Sequence, residues 1–585
     1  MARENNQRGG RRRSNEASYD EAQRRKFGDH SDSLGYVFKF LAVALAIVII
    51  RLFYLQVIEG PHNASMAVDR RTVAQPLQAR RGTIYDRNGN VLATSEECYD
   101  VYANPLEITD PKAVAVIVAR YLGGDEHDYI ELLSQKSSFV YIKRQADKQL
   151  AEEMRAEIIK QELGGIYLLQ QMRRVYPYGA VCGQILGKVN VDGEGVTGLE
   201  YTYDHELAGI NGSYSQEMGY GGIPIAGVSS ERTEPIDGDD LVLSIDIDIQ
   251  KYVEEQMAAA TVDNEAESGF CMVSDPRSGE ILAACSTPYA DLTQPDLITS
   301  DSLNLKVVSS SYEPGSIFKV LTAAIGIESG TVKSDTYMTV PPTVLVGQSN
   351  VYDEDGRWDY SEMNLREVLR RSSNVGIAIF AQELIGSQAF AQGVESFGIG
   401  QLTGIDYPGE AQGLVKSLQD YDPSSLGSMS FGQGLSIPMV QMVRAVGSIA
   451  NGGTLYTPHF ATSVGGEQKE WPAGGQSVSQ ATAEKVTDMM CTVVEEGTAT
   501  TAAVDGYDVA AKTGTGEQAE NGKYITDKYL ASLIGFAPAK NPELLVYVGL
   551  NETPYLAYSS AGPVFSAIMG EALAECGVLS TAQSL

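Results

Sequence analysis

The chain has 585 residues, which is too long for one hydrophobic core, so we expect two or more domains. Hydrophobic residues make up 43% of it and glycines number 59, which favours a globular protein and excludes a largely disordered one. The formal net charge of −32 argues against nucleic acid as a partner.

Residues 1–33 are polar and hold eight Lys or Arg against six Asp or Glu, so we predict a disordered tail. Residues 34–58 follow with a mostly apolar run, about the length that spans a bilayer. No small-x-small cleavage site follows the apolar run before Gly60, so a retained anchor is favoured over a cleaved signal peptide or a buried core helix. The basic residues before it predict a cytoplasmic N-terminus and an extracytoplasmic remainder.

The next part of the chain has patterns of both strands and helices. Arg80 to Ala93 places the turn sequence Asp-Arg-Asn-Gly-Asn between two short apolar runs, which predicts a hairpin. Helical patterns follow over residues 111–122 and 147–163.

Three carboxylates in this part are candidates for a catalytic pair: Glu200, Asp204 and Glu206. Nothing in the pattern orients them, so a solvated surface is the better interpretation. The acidic run of residues 231–240 contains a Pro and a Gly, and there we predict the boundary of a second domain that covers residues 236–585.

The second half has clearer patterns. Residues 269–286 predict strand, turn, strand, and near the C-terminal end VAAKTGT, YLASLIGFAP and ELLVYVGLN predict three strands before a closing helix. An antiparallel sheet covered by terminal helices, with an all-helical lobe between, makes the expected fold class α+β.

The six cysteines are scattered without a Cys-x-x-Cys pair, and the five histidines show no ligand spacing. Neither a metal site nor a disulfide framework is indicated. Cys271 and Cys285 flank the predicted turn and could be neighbours across strands, where we expect free buried thiols.

The stretch YEPGSIFKV places Ser316 and Lys319 directly after a Pro-Gly pair, at the start of an apolar run that ends at Ser329-Gly330. This pattern predicts a buried helix with a glycine stop. Residues three apart share a helix face, so the Ser316 hydroxyl and the Lys319 amine can meet. Burial favours the neutral amine, which could accept the serine proton. Alone the motif is weak, because roughly two Ser-x-x-Lys matches are expected by chance in such a chain.

Two later motifs add specificity. RRSSNVG supplies Ser372 and Asn374 at the end of a short predicted helix, and AAKTGTG supplies Lys512 to Thr515. Ser-x-x-Lys, Ser-x-Asn and Lys-Thr-Gly in this order form the active-site set of the penicillin-interacting serine acyltransferases. A second Ser-x-Asn match, at Ser302 to Asn304, precedes Ser316 and so has the wrong order.

From about Arg80 nearly to its C-terminal end, the chain resembles the class B penicillin-binding proteins, which are monofunctional peptidoglycan transpeptidases. The resemblance rests on RRGTIYDRNG, RVYPYG and GLE, followed by YEPGSIFK, SSN, FGQG and KTGT. Glu313, directly before Pro-Gly-Ser, makes this motif more similar to that of the division and sporulation branch than to that of the elongation branch. The resemblance implies a pedestal or dimerisation-type domain over residues 59–235 and a penicillin-binding transpeptidase domain over residues 236–585.

The resemblance also implies roles for the motif residues. Ser316 would attack the penultimate D-alanine carbonyl of a stem peptide while Lys319 takes its proton. Ser372 would pass the proton to the leaving amine, and Asn374 would hydrogen-bond the peptide. No metal or cofactor is implied.

The Lys-Thr-Gly strand is implied to bind the substrate. Lys512 and Thr513 would hold its terminal carboxylate, and the backbone N–H groups of Thr515 and Ser316 would form the oxyanion hole. Gly514 would keep the edge strand free of side-chain bulk, so that the substrate can pair with it.

Several alternatives share parts of this pattern. A D,D-carboxypeptidase or a penicillin sensor has the same motifs, whereas a class A β-lactamase needs a Glu to activate a water, usually with an Asn a few residues on. Asn451 is the only Asn between the second and third motifs, and no such Glu precedes it. A non-catalytic scaffold of wall synthesis would explain the anchor and the pedestal but not the motif set.

The partners implied are peptidoglycan stem peptides, β-lactams, the membrane, a polytopic glycan polymerase and proteins of the division or elongation complex.

Overall fold

The structure is a computed structural model that describes residues 34–62, 66, 72–217, 231–520 and 523–580. The tail predicted over residues 1–33 lies outside the described residues. The chain divides into two compact units: residues 1–77 with 212–234, and residues 78–211 with 235–585.

The strands in the described residues are, in chain order, β1 Thr72–Leu77, β2 Ile84–Tyr85, β3 Val91–Ala103, β4 Val140–Asp147, β5 Ile166–Val175, β6 Gly212–Glu217, β7 Glu231–Thr233, β8 Leu241–Leu243, β9 Ser268–Ser274, β10 Ile281–Ser286, β11 Ser311–Tyr312, β12 Met338–Val340, β13 Thr343–Val346, β14 Ser349–Tyr352, β15 Ser361–Met363, β16 Ile437–Pro438, β17 Thr454–Tyr456, β18 Ala461–Val464, β19 Glu467–Gln468, β20 Ala473–Gln476, β21 Ala510–Glu520, β22 Lys523–Ala537 and β23 Leu544–Thr553.

In the part of the chain that the structure describes, the main α-helices are α1 Leu34–Ile58, which ends in a π turn, α2 Pro111–Leu122, α3 Glu126–Leu133, α4 Lys148–Lys160, α5 Gly183–Leu186, α6 Gly198–Thr202, α7 Asp204–Ala208, α8 Ile247–Asp263, α9 Ser300–Leu303, α10 Lys306–Ser309, α11 Lys319–Glu328, α12 Leu365–Arg371, α13 Asn374–Ile379, α14 Gly386–Ser396, α15 Ser425–Ser430, α16 Met439–Ala450, α17 Gln480–Glu496 and α18 Ala561–Glu575.

The first unit contains α1 and a three-stranded sheet with the order β1-β6-β7. Helix α1 has 25 residues and is apolar enough to cross a bilayer. Its bounds agree with the anchor predicted over residues 34–58.

In the second unit, a twisted sheet has the order β19-β18-β8-β2-β3-β4, with β5 paired to β3. The predicted hairpin is confirmed as β2 and β3, and Asp86 shapes its turn because its carboxylate accepts the backbone N–H groups of Asn88 and Asn90. Strand β8 pairs with β2 and with β18. One sheet therefore contains strands from both sides of residue 236, where the sequence predicts a domain boundary. That boundary stays a prediction.

Helices α2 to α4 pack on β3, β4 and β5 around a core of their own, which includes Val101, Val118 and Met154. The prediction of a helix over residues 111–122 is confirmed. The second predicted helix starts one residue later, at Lys148, because the side chain of Asp147 accepts the backbone N–H groups of the first turn and caps it.

The interpretation of Glu200 as part of a solvated surface is wrong. Its side chain is fully buried, and its carboxylate accepts hydrogen bonds from Arg81 at 2.5 Å and from Arg174 at 2.6 Å. Asp204 accepts a further bond from Arg81 at 2.6 Å. These groups tie α6 and α7 to the loop before β2 and to the end of β5, so they hold the fold together and form no catalytic pair.

The second sheet of this unit is antiparallel, with the order β10-β9-β23-β22-β21. Helices α8 and α18 pack against it, and β21 lies at its edge. The predicted strand, turn, strand over residues 269–286 is confirmed, as are the three C-terminal strands and the closing helix. Cys271 and Cys285 are cross-strand neighbours, and both are buried free thiols, as expected.

A lobe between the strands of this sheet contains helices α11 to α17. It is mostly helical and also carries small two-stranded antiparallel sheets, which pair β12 with β15, β13 with β14 and β17 with β20. The fold class is α+β, as the order of the elements predicts.

We predict that Glu200→Ala lowers the free energy of unfolding by about 3–5 kcal/mol, because two buried guanidinium groups lose their shared carboxylate. Thermal unfolding of the detergent-solubilised protein measures this loss. Glu194→Ala is the matched control, since Glu194 is exposed and bonds only with nearby Asn190. Equal melting temperatures for the two variants would contradict the structural role of Glu200.

Candidate active site

Ser316 lies in a tight 3₁₀ turn, Gly315–Phe318, that leads directly into α11. The prediction of a buried helix here is confirmed, although its α-helical part begins at Lys319. Gly315 has a φ of 58°, and a Cβ at this position would lie 3.4 Å from the carbonyl oxygen of Thr515. The positive φ therefore favours glycine at this position, whereas a Cβ would make only an ordinary contact with β21.

Lys319 is the first residue of α11, and its side chain is completely buried. Its Nζ lies 2.9 Å from Ser316 Oγ, 2.6 Å from the Ser372 carbonyl oxygen and 3.3 Å from Ser372 Oγ. Burial lowers the pKa of the Lys319 amine to about 8, although the negative charges of Glu354 and Asp353 oppose this. A substantial fraction of the amine is thus neutral near physiological pH and can accept a proton from Ser316.

Ser372 follows α12 and adopts the left-handed conformation, with a φ of 57°. This backbone brings its side chain between two lysines, because Lys512 Nζ donates to Ser372 Oγ over 2.9 Å. Lys512 is also fully buried. Burial, and next the charge of Lys319, hold the pKa of the Lys512 amine well below its ordinary value.

Asn374 is the first residue of α13 and is half-buried. It lines a cavity of about 640 Å³ together with Ser316, Thr515 and Tyr529. Strand β14 forms one wall of this cavity. We call this space the active-site cavity, and it places Asn374 on the same opening as the Ser316 hydroxyl.

Thr513 to Thr515 lie on the edge strand β21, next to the Ser316 turn. The side-chain oxygen of Thr513 lies 2.8 Å from that of Thr498. The two hydroxyls and the Lys512 amine supply hydrogen-bond donors at one point of the strand.

Packing beneath strand β21 requires a glycine at position 514. A Cβ here would lie 2.6 Å from Ser532 Oγ and 2.8 Å from Ile317 Cγ1, both closer than real contacts allow. The lack of a side chain lets β21 approach the Ser316 turn. Whether it also leaves room for a paired substrate stays a prediction.

The structure thus brings Ser316, Lys319, Ser372 and Lys512 into one hydrogen-bonded row, with Asn374 and Thr515 on the same cavity. The competing Ser-x-Asn match has another role, because Ser302 forms a capping box with Thr299 at the start of α9.

Sequence reasoning missed Thr498 and Asp353. Asp353 accepts a hydrogen bond from Ser373 Oγ over 2.7 Å. No spacing rule connects either residue to the motifs, because each lies in an irregular segment that the folded chain brings to the site.

Two models of known protein families match this chain. A family model described as "Penicillin binding protein transpeptidase domain" matches residues 269–570, and another, "Penicillin-binding Protein dimerisation domain", matches residues 76–243. The chain belongs to the class B penicillin-binding proteins.

Curated relatives cover nearly the whole of this penicillin-binding protein. It is 31% identical to "Stage V sporulation protein D" of Bacillus subtilis, over 93% of this chain and 85% of that protein. It is 33% identical to "Probable peptidoglycan D,D-transpeptidase PenA" of Neisseria meningitidis, over 94% and 93%. A solved structure, a "putative peptidoglycan glycosyltransferase" from Atopobium parvulum, is 41% identical with a TM-score of 0.68, over 86% and 99%.

We predict that Lys319→Arg slows acylation by a β-lactam about 10³-fold, because a guanidinium stays protonated and cannot accept the serine proton. Stopped-flow measurement with a fluorescent penicillin gives the second-order rate constant. Lys333→Arg makes the same change at an exposed residue and should retain the wild-type rate. A Lys319→Arg rate within a few-fold of wild type would show that this amine is not the base.

Proposed function

We propose that this penicillin-binding protein is a serine-type D,D-transpeptidase that cross-links peptidoglycan stem peptides through an acyl-enzyme on Ser316, and that β-lactams acylate the same serine. The observation that carries the proposal is the row of hydrogen bonds that links Ser316, which lines the active-site cavity, to Lys319, Ser372 and Lys512. The kinship with a protein named as a probable peptidoglycan D,D-transpeptidase supports this reaction.

Acylation begins when Ser316 Oγ attacks the carbonyl carbon of the penultimate D-alanine. The neutral Lys319 amine, 2.9 Å away, takes the hydroxyl proton as the new C–O bond forms. The backbone N–H groups of Ser316 and Thr515 would hold the oxygen that becomes negative.

Collapse of this intermediate breaks the C–N bond to the last D-alanine, whose amine needs a proton. The Ser372 hydroxyl bonds with both lysine amines, so it can pass a proton to the leaving amine and recover one from Lys319. The terminal D-alanine then leaves as the free amino acid. With a β-lactam the same bond breaks, but the leaving amine stays attached through the ring.

Recognition of the substrate is assigned to the edge strand and to α13. The terminal carboxylate would bind the Lys512 amine and the Thr513 hydroxyl, which Thr498 orients over 2.8 Å. Asn374 would donate from its side-chain amide to the peptide, and the peptide would pair along β21 beside Gly514.

The second half of the reaction separates transpeptidation from its closest alternative. An amine of a neighbouring stem peptide attacks the ester carbonyl and gives a proton to the neutral Lys319 amine. The C–O bond to Ser316 breaks as the new amide forms, and Lys319 passes that proton to Ser316 Oγ. A D,D-carboxypeptidase would use water in place of the amine. A penicillin sensor would keep the acyl group, and a scaffold would form no ester at all.

We predict that benzylpenicillin adds its mass once to the folded protein and that the adduct maps to the peptide containing Ser316. Ser316→Ala should show no adduct, whereas Ser311→Ala, a change of an exposed serine nearby, should label fully. An adduct on Ser372 or Ser373, or none on folded wild type, would refute the assignment of the nucleophile.

The membrane arrangement is also proposed. Helix α1 would anchor the chain in a single pass, with the N-terminus cytoplasmic and the catalytic domain extracytoplasmic. A cross-linking enzyme needs newly made glycan, so a polytopic glycan polymerase and its division or elongation complex are the proposed partners. Arg51 lies within α1, and a charge at this depth would face a partner helix more favourably than lipid.

Exchange of residues 34–58 for an unrelated single-pass anchor should weaken co-purification with the polymerase and leave acylation of Ser316 unchanged. Undiminished co-purification in this variant would contradict a partner surface on α1.

A further inference from the structure

The carboxylate of Asp353 is a buried acceptor directly beneath the second motif. Asp353 follows β14 and is 8% exposed. Its Oδ2 accepts from Ser373 Oγ over 2.7 Å, and its Oδ1 accepts from the backbone N–H of Val375 over 2.9 Å. One side chain therefore bonds to the residue before Asn374 and to the residue after it.

Ser373 makes a second bond that completes this link. Its Oγ accepts the backbone N–H of Gly376 over 2.8 Å and so caps α13. The hydroxyl donates to Asp353 and accepts from the helix, which leaves it one orientation. Ser372, just before it, has the left-handed conformation that costs a non-glycine residue about 1–2 kcal/mol. Such a turn persists only where its surroundings hold it.

Asp353 is itself held by Arg357. The Arg357 Nη2 lies 3.1 Å from Asp353 Oδ2, and both side chains are only 4% exposed. The guanidinium also donates to the carbonyl oxygens of Val340 over 2.9 Å and Pro341 over 2.7 Å. Backbone carbonyl groups at the end of β12 thus hold Arg357, and the Asp353–Arg357 pair holds the turn.

We propose that Asp353, held by Arg357, is a positioning residue for acylation: it keeps the Ser372–Asn374 turn where Ser372 reaches both lysines and Asn374 faces the active-site cavity. The inference rests on the proposed acylation at Ser316. Asp353 acts through Ser373 and Val375, and its two oxygens are already engaged by three donors.

Asparagine cannot replace this aspartate. Both carboxylate oxygens accept from donors: Ser373 and Arg357 on Oδ2, and the Val375 N–H on Oδ1. The NH₂ group of an asparagine would have to face one of these donors, so at least one bond breaks and the turn can shift. A misplacement of about 1 Å can cost about 10²-fold in rate.

Loss of the Asp353 charge would also affect the deprotonation of Lys319, and the experiment must separate this effect from the loss of positioning. The charged groups that face Lys319 are Glu354 and Asp353 after β14 and Lys512 on β21. Removal of either carboxylate charge makes the Lys319 amine easier to deprotonate. Glu354 is exposed, and the hydrogen bonds that hold the turn go to Asp353, so Glu354→Gln removes a comparable charge and leaves the positioning bonds in place.

The test measures the second-order rate constant of acylation by a fluorescent penicillin from pH 6 to pH 10, with the melting temperature of each variant. We expect Asp353→Asn to lower the plateau at high pH about 10²-fold and Ser373→Ala about tenfold. The double variant should lose less than the product of the two single losses, because the two residues share the bond between Ser373 Oγ and Asp353 Oδ2. Glu354→Gln should keep the wild-type plateau, and its rising limb, like that of Asp353→Asn, should move to lower pH.

A plateau for Asp353→Asn within threefold of wild type would overturn the proposal, as would losses that multiply in the double variant. If Asp353→Asn does not fold, the Ser373→Ala variant tests the proposal, because it retains the buried ion pair of Asp353 and Arg357. A wild-type plateau rate for Ser373→Ala would then overturn the proposal. A wild-type protein that is folded but not acylated would instead refute the proposed function.

Discussion

Two lysine amines are buried within hydrogen-bond distance of one serine hydroxyl, and the chemistry of the site depends on this. Lys319 and Lys512 both approach Ser372 Oγ, at 3.3 Å and 2.9 Å. Two ammonium groups so close in a water-poor interior repel each other strongly, and burial penalises each of them. The pair therefore releases a proton far more readily than free lysines, which is what the proposed role of Lys319 as the base for Ser316 requires.

The fold is built to bring these amines together from distant parts of the sequence. Helix α17 connects the second and third motifs, because Arg366 donates to the carbonyl oxygen of Asp488 over 3.0 Å and Arg370 to that of Glu496 over 3.0 Å. The chain then turns so that the Thr498 N–H bonds to the Arg370 carbonyl and its hydroxyl meets Thr513 on β21. Displacement of α17 would thus separate Ser372 from Lys512.

Much of this architecture could be predicted, because local signals determine it. The Asp-capped starts of α2 and α4, the hairpin turn at Asp86 and the alternating C-terminal strands are visible in short windows of sequence. The hydrogen-bonded row of Ser316, Lys319, Ser372 and Lys512 was also predictable, since the order of the three motifs identifies its members. Residues that act through long-range partners were not. Glu200 is buried only because Arg81 and Arg174 converge on it, and Asp353 matters only because folding places it under Ser373. Likewise, no local pattern shows that β8 would join β2 and β18 in one sheet.

The pH dependence of acylation in the wild-type protein tests the central claim most directly, because it reports the protonation state of the base. Rising pH removes the proton from Lys319, whose pKa is about 8, so the second-order rate constant with benzylpenicillin should rise between pH 6 and pH 9 and then level off. Protonation of the neutral amine at low pH abolishes its capacity to accept the Ser316 proton. A rate constant that is flat across this range, or that falls as pH rises through 8, would contradict the account.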